Sequence, residues 1–352
     1  MKIKLLHFLA ATLLVCGCNG GTDPTPSPSP EPDPEPEQAF FAKGADLGWV
    51  TEMESNGCKF YNEAGQQMEC TALFNSIGFN SVRHRVWVNP TDGWCGKADV
   101  LEKCKRASAL GMKIMIDFHY SDWWADPGKQ NVPAAWAKYD VAQMADAVAA
   151  HTQEVLQSLK SAGIDVTWVQ VGNEVTNGML WESGRVKDKT AANFIKYFNA
   201  GAAAVRKVYP DAEVILHIDN GWNISTAEWF FDLMKAGGAD YDIIGFSLYP
   251  SYWDDAAKAY PDWRTKTNQF LLNISSVRSR YSKPVMLCEF GMPVKEPAKA
   301  KEALQYLMDG VQKYDWFGGI FLWEPESESS RNNYDYGAFS GGKPTEALDP
   351  FK

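Results

Sequence analysis

Positive charge is the scarcer kind in this 352-residue chain. It has 34 Lys and Arg against 44 Asp and Glu, for a net charge of −10. That balance excludes the basic face a nucleic-acid partner requires. No glycine-rich phosphate loop follows the first predicted strand, which removes the signature of a dinucleotide fold. No CxxC or paired-His spacing is present to hold zinc. The apolar run at the start, Leu5–Val15, is too short for a permanent membrane helix, which needs about 20 apolar residues.

What is present at the N-terminus reads as export. Lys2 and Lys4 precede the short apolar run, and Val15-Cys16-Gly17-Cys18 resembles a bacterial lipobox with Cys18 as the lipidated residue. From Thr22 to Glu37, Pro alternates with Ser, Thr, Asp and Glu, a composition that stays extended and has nothing to bury. The expected organisation is a lipoprotein signal peptide over 1–18, a tether over 19–38 and a catalytic domain over 39–352. Such a protein is exported, held to a membrane only through its lipid, and acts as a monomer. An acidic body beside an anionic membrane favours a neutral substrate. Of the seven cysteines, Cys58–Cys70 and Cys95–Cys104 are possible local bridges, with connectivity left open. Cys288 lies in an apolar run and reads as a buried thiol.

From Lys43 onward, strand-like runs recur near 43–48, 80–87, 113–119, 167–173, 213–219, 242–248, 284–289 and 319–323. Amphipathic segments separate most of them, at 98–110, 141–162, 191–209, 226–235, 265–281 and 297–314. Gly111, Gly163 and Gly237 stand where helix C-termini want glycine. This alternation predicts an α/β fold, a single (β/α)8 TIM barrel.

The barrel reading explains where the polar residues fall. Asp46 and Trp49 come at or after strand one, and Arg85 and Trp87 close strand two. Asp117 and His119 follow on strand three, Asn173 and Glu174 on four, His217 and Asp219 on five. Tyr249 closes strand six, Glu289 strand seven, and Trp323 and Glu324 strand eight. Polar C-terminal ends on eight apolar strands describe one shared site. The plainer alternative for Glu174 in VTWVQVGNEVT (166–176) is a helix cap suited to the dipole. Glu289 in PVMLCEFG mirrors it, and two carboxyls across a cleft are the equipment of glycoside hydrolysis. Arg85 is placed to hold the nucleophile ionised, with a structural salt bridge as the alternative. Asn173 can hydrogen-bond a sugar 2-OH. The 14 Trp, 14 Tyr and 18 Phe suit sugar stacking, although core packing claims most of them.

Several stretches resemble glycoside hydrolase family 53, the endo-β-1,4-galactanases of clan A: GADLGWV (44–50), VRHRVWVNP (82–90), DFHYSDWWADPGKQ (117–130), VQVGNEVTNGMLW (169–181), GFSLYPSYW (245–253) and FLWEP (321–325). The resemblance runs from Gly44 to Asp349. It implies endo-hydrolysis of neutral β-1,4-galactan with retention, with Glu174 as general acid/base and Glu289 as nucleophile. It also implies Arg85, His119, Asn173 and Tyr249 as supports around the −1 sugar and Trp323 as its platform. Asp46, Trp124, Asp126, Trp222 and Trp253 are implied as cleft residues for flanking units.

Two departures from the family pattern stand out. The segment 290–299 is short and lacks the acidic spacing of a calcium-binding insertion, so no metal or other cofactor is expected. The segment 324–342 is long and acidic, and is expected to be a solvated loop at one end of the cleft rather than a calcium site. The paired carboxyls by themselves leave open another clan A endoglycanase, such as a mannanase or cellulase, or an inert glycan-binding protein. The sequons at Asn223 and Asn273 would go unmodified in a bacterial lipoprotein.

Overall fold

Eight strands form the closed parallel sheet of a (β/α)8 barrel: β1 Ala42–Asp46, β2 Ser81–Val86, β3 Lys113–Phe118, β4 Trp168–Val171, β5 Glu213–Ile218, β6 Ile243–Leu248, β7 Val285–Phe290 and β8 Phe317–Trp323. Closure is made by β1 against β8, with Ala42 opposite Gly319 and Asp46 opposite Trp323. The computed structural model describes residues 40–252 and 257–352. Cys18, the segments 1–18 and 19–38 expected to be signal peptide and tether, and Trp253 lie outside the described residues. Among the described residues no helix is long and apolar enough to cross a membrane.

The outer layer is α1 Cys70–Ser76, α2 Lys97–Ala109, α3 Val141–Ser161, α4 Ala192–Val208, α5 Ile224–Gly237, α6 Trp263–Tyr281 and α7 Pro297–Val311. Their starts follow local chemistry. Asp140 caps α3 in a capping box with Gln143, and Asn223 caps α5 through the Thr226 N–H. The left-handed residue ending α5 is Gly238 (φ 74°); the predicted Gly237 is still helical. After β8 the ring closes with one short 3₁₀ turn, Glu346–Phe351.

Inside the barrel, Met115, Trp168, Ile215, Met286, Cys288 and Phe321 form an apolar layer. Two residues further along β3, β4 and β5, the same inward positions are Asp117, Gln170 and His217, all wholly buried. The interior therefore turns polar towards its C-terminal mouth. On β7 the alternation breaks: Phe246 pairs with Leu287, but Ser247 pairs with Glu289. The extra residue lets Cys288 and Glu289 both face inward. Without this bulge the Glu289 carboxyl would point at the helices.

All five described cysteines are free thiols. The two bridges considered from the sequence are not formed. Cys95 Sγ is instead turned to the Gly48 carbonyl at 3.6 Å and to Lys103 Nζ at 3.9 Å, away from a pairing role. Cys288 is the buried thiol expected.

Candidate active site

Arg83 is the hub of the barrel mouth. Its Nε donates to Gln170 at 2.8 Å, and Nη1 donates to Asp46. Nη2 donates to Asp117 and to Asn173 Oδ1, each at 2.9 Å, and lies 3.0 Å from Glu289 Oε1. A guanidinium buried this deeply is tolerable because each of its three nitrogens has a partner and three of those partners are carboxyl groups. Tyr249 Oη donates to the other oxygen of Glu289 at 2.9 Å. The Glu289 carboxylate is therefore fixed at both ends, with a cation on one and a hydroxyl on the other.

The predicted partner, Arg85, does not reach Glu289. It pairs with Glu324, and its guanidinium lies among the rings of Trp124 (4.3 Å), Trp49 (5.2 Å) and Trp87 (5.5 Å). Both arginines face inward because they are two apart on one strand. That spacing moves a side chain by about 6–7 Å along the strand axis. The alternation signal was there for both, and nothing in it ranked their depth.

Glu174 comes from the tip of β4, where Gly172 (φ 94°) and Glu174 itself (φ 45°) take left-handed backbone. It precedes a 3₁₀ turn, yet its side chain makes no cap hydrogen bond. The capping alternative fails, and the carboxyl faces the cleft. One oxygen of Glu174, one of Glu289 and one ring nitrogen of His217 all lie within 4.8 Å of one another. His217 is committed to protein partners. Its Nδ1 accepts from Gln170 at 2.9 Å and from the Glu174 N–H at 3.3 Å, while Nε2 meets Ser247 Oγ at 2.9 Å. Neither ring nitrogen is left to bind a metal ion.

The two acids differ electrostatically. Burial raises both carboxyls, but Glu289 has Arg83 and Tyr249 pulling it back. Glu174 is raised well above the ordinary range by burial, then by the Glu289 and Asp219 charges, with weaker relief from Ser247 and Arg83. When the pair holds one proton, it resides on Glu174.

A cleft of about 610 Å³ opens above the pair, lined among others by Trp49, His119, Trp124, Asp126, Asn173, Tyr249, Trp323 and Tyr334. Trp323, Trp49 and Tyr334 pack edge to face, with centroids 4.6–6.0 Å apart. Asn173 Nδ2 donates to the Ala125 carbonyl at 2.9 Å, leaving one amide hydrogen uncommitted. His119 lines the cleft with both nitrogens taken. Nε2 is 3.0 Å from Asp117, and Nδ1 accepts from the Ala125 N–H at 3.1 Å. It therefore supports the loop at 119–125 rather than offering a free nitrogen.

Three further expectations need correction. Asp46 is sealed beneath Arg83, wholly buried, and is not a cleft residue. Burial pushes its carboxyl up to about 8, against the pull of Arg83. Trp222 does not line the cleft; its indole N–H donates to Asn220 Oδ1 at 3.0 Å, and Asn220 lines the cleft in its place. The loop after β8 is only in part the solvated acidic segment expected, because Glu324 and Glu326 are wholly buried while Asp335 is exposed. Glu324 is held by Arg85 and by the Trp49 N–H at 3.1 Å.

Residues 42–347 match Glycosyl hydrolase family 53. The chain belongs to that family. Two fungal relatives carry galactanase names. A probable arabinogalactan endo-beta-1,4-galactanase A of Neosartorya fischeri is 32% identical over 307 residues, covering 80% of this chain and 83% of the relative. The arabinogalactan endo-beta-1,4-galactanase of Humicola insolens is 31% identical over 306 residues, covering 80% and 89%. Among solved structures, a fungal beta-1,4-galactanase superposes with a TM-score of 0.78 at 28% identity, covering 89% of this chain and 99% of that one. Family 53 membership and the closed barrel agree with the fold read from the strand pattern.

Proposed function

We propose that this family 53 protein is an endo-acting β-1,4-galactanase that cuts neutral galactan side chains of pectin with retention of configuration. The observation carrying this reading is the carboxyl pair, with oxygens of Glu174 and Glu289 within 4.8 Å of each other. Retaining glycosidases hold theirs roughly 5–5.5 Å apart, whereas inverting enzymes leave room for a water at roughly 6.5–9.5 Å.

In the reaction, the Glu289 carboxylate attacks the anomeric carbon while Glu174 gives its proton to the departing glycosidic oxygen. The bond to the leaving sugar breaks as the galactosyl–Glu289 ester forms. Glu174, now ionised, then takes a proton from water, which attacks the same carbon and releases Glu289. Arg83 and Tyr249 stabilise the charge that returns to Glu289. Asn173 offers its free amide hydrogen to the sugar, and Trp323 supplies the ring face beneath it. Acid, nucleophile and orienting cation are all protein groups, so we take the hydrolysis to need no metal or other cofactor.

We further read residues 1–18 as a lipoprotein signal, with Cys18 carrying the lipid and 19–38 as the tether of an exported monomeric enzyme. Loss of radiolabelled fatty acid in Cys18→Ser tests that placement.

The deciding experiment incubates residues 39–352 with galactan, mannan and cellulose. Galactan should be cut to short oligomers, and Glu289→Gln should lose at least about a thousandfold in kcat while still binding oligosaccharide. Activity confined to mannan or cellulose overturns the substrate, and full activity in the variant overturns the mechanism.

A further inference from the structure

A second groove leaves the cleft over its tryptophan wall. It encloses about 430 Å³ and is lined by Trp49, Trp87, Trp123 and Trp124, together with Asn56, Asn332 and Asn333. Trp49 and Trp124 line the catalytic cleft as well, so the two spaces share a wall. The rings form a continuous series. Trp323 to Trp124 is 5.8 Å between centroids, Trp124 to Trp87 is 5.1 Å, and Trp87 to Trp123 is 4.7 Å. At the outer end Trp123 is 52% exposed although it packs against Trp87. An indole held on one face and open on the other presents about the largest apolar surface a side chain can offer.

We propose that this groove is a distal sugar-binding site, taking the stretch of the galactan chain that continues beyond the units over Glu174 and Glu289. The chemistry fits a neutral polyol. Among the described residues no Lys or Arg lines the groove and the acid that does is Glu52, whose carboxyl burial raises above its usual range. The three asparagine side chains supply donors and acceptors for hydroxyl groups. Arg85, buried among Trp49, Trp87 and Trp124, braces the track from beneath. The track is therefore held in place before any sugar arrives, which lowers the ordering cost of binding. Occupancy by galactan rests on the reading of the cleft given above.

Titration of β-1,4-galacto-oligosaccharides from three to eight units into Glu289→Gln, with and without Trp123→Ala, tests the site by calorimetry. Affinity should rise with length in the parent. Trp123→Ala should weaken the longest oligomers by about fivefold to tenfold, the scale of one lost aromatic face, with the trimer unchanged. Trp123→Phe should restore most of the loss. Equal affinities in both proteins at every length overturn the site, as does a loss equal for trimer and octamer. No binding at any length overturns the galactan reading itself, and this site with it.

Discussion

Tyr249 donates its hydrogen bond to the oxygen of Glu289 that Arg83 leaves free, at 2.9 Å. The hydroxyl stabilises the ionised carboxylate and so holds the Glu289 pKa down against burial. Tyr249→Phe removes that donor. The Glu289 pKa then rises, and the acid limb of the kcat/KM–pH profile, where the nucleophile must be ionised, moves to higher pH. The alkaline limb, where Glu174 must stay protonated, should move far less. A fall in kcat of about tenfold or more should accompany the shift. An unmoved acid limb would mean that Tyr249 serves packing only.

The two arginines of β2 should separate cleanly by kinetics. Arg83→Lys keeps the charge but not the fork that serves Asp46, Asp117, Asn173 and Glu289 together. It should lose about a hundredfold or more in kcat, with a destabilisation on the order of 3–5 kcal/mol from buried acids left without a partner. Arg85→Lys touches Glu324 and three tryptophans but not Glu289. It should raise KM on polymer more than it lowers kcat, and change tryptophan fluorescence. Equal kcat losses from the two variants would refute the placement.

The sequence carried the barrel because fully buried parallel strands read as apolar runs, and the turn to polar residues at their ends is abrupt. Asn173-Glu174 after WVQV is legible for that reason. Glu289 was legible as an acid on an apolar strand, but its inward aim depends on the bulge opposite Phe246 and Ser247, which no periodicity announces. Asp46 and Trp222 were misplaced because a motif fixes position along the chain and leaves depth open. Asp46 sits under two guanidinium groups, and Trp222 stands behind Asn220. The acidic loop misled for a different reason. An acid facing solvent and an acid buried on an arginine look alike in composition.

Glu326 is wholly buried, and burial together with the neighbouring Glu324 charge raises its carboxyl well above the ordinary range. The folded protein therefore keeps a proton that the unfolded chain releases above about pH 4.3. Stability from this group is fully present below that pH and declines as pH rises towards the folded pKa. Glu326→Gln keeps the shape and an N–H for Glu324 without the titration. Its unfolding free energy should match the parent's near pH 4 and exceed it increasingly from pH 5 to 8, by on the order of 1–3 kcal/mol at the upper end. A parent that stays the more stable throughout would show that Glu326 is ionised in the folded state.

Removal of divalent ions should leave the enzyme as it was. The acidic residues Glu324 and Glu326 after β8 are turned into the protein, and both nitrogens of His217 are held by Gln170, Ser247 and the Glu174 amide. Dialysis against a strong chelator should change neither kcat on galactan nor Tm. A drop in Tm reversed by calcium would reveal a structural ion and overturn this expectation.

Gly48 stands where the chain passes closest to the buried pair of Arg85 and Glu324. A Cβ there would lie 2.0 Å from Arg85 Nη1 and 2.6 Å from Glu324 Oε1. A long side chain in the open would swing aside at little cost. Arg85 has no such freedom, being 1% exposed and enclosed by three indole rings. Gly48→Ala should therefore destabilise by about 1–3 kcal/mol, as overpacking of a filled interior does. The source of the cost is testable by a double-mutant cycle, because neighbours that clash do not add. In an Arg85→Ala background the methyl group meets an emptied space, and Gly48→Ala should then cost less by about 1 kcal/mol or more. Additive effects would mean that Gly48 is needed for its backbone and not for the room it leaves to Arg85.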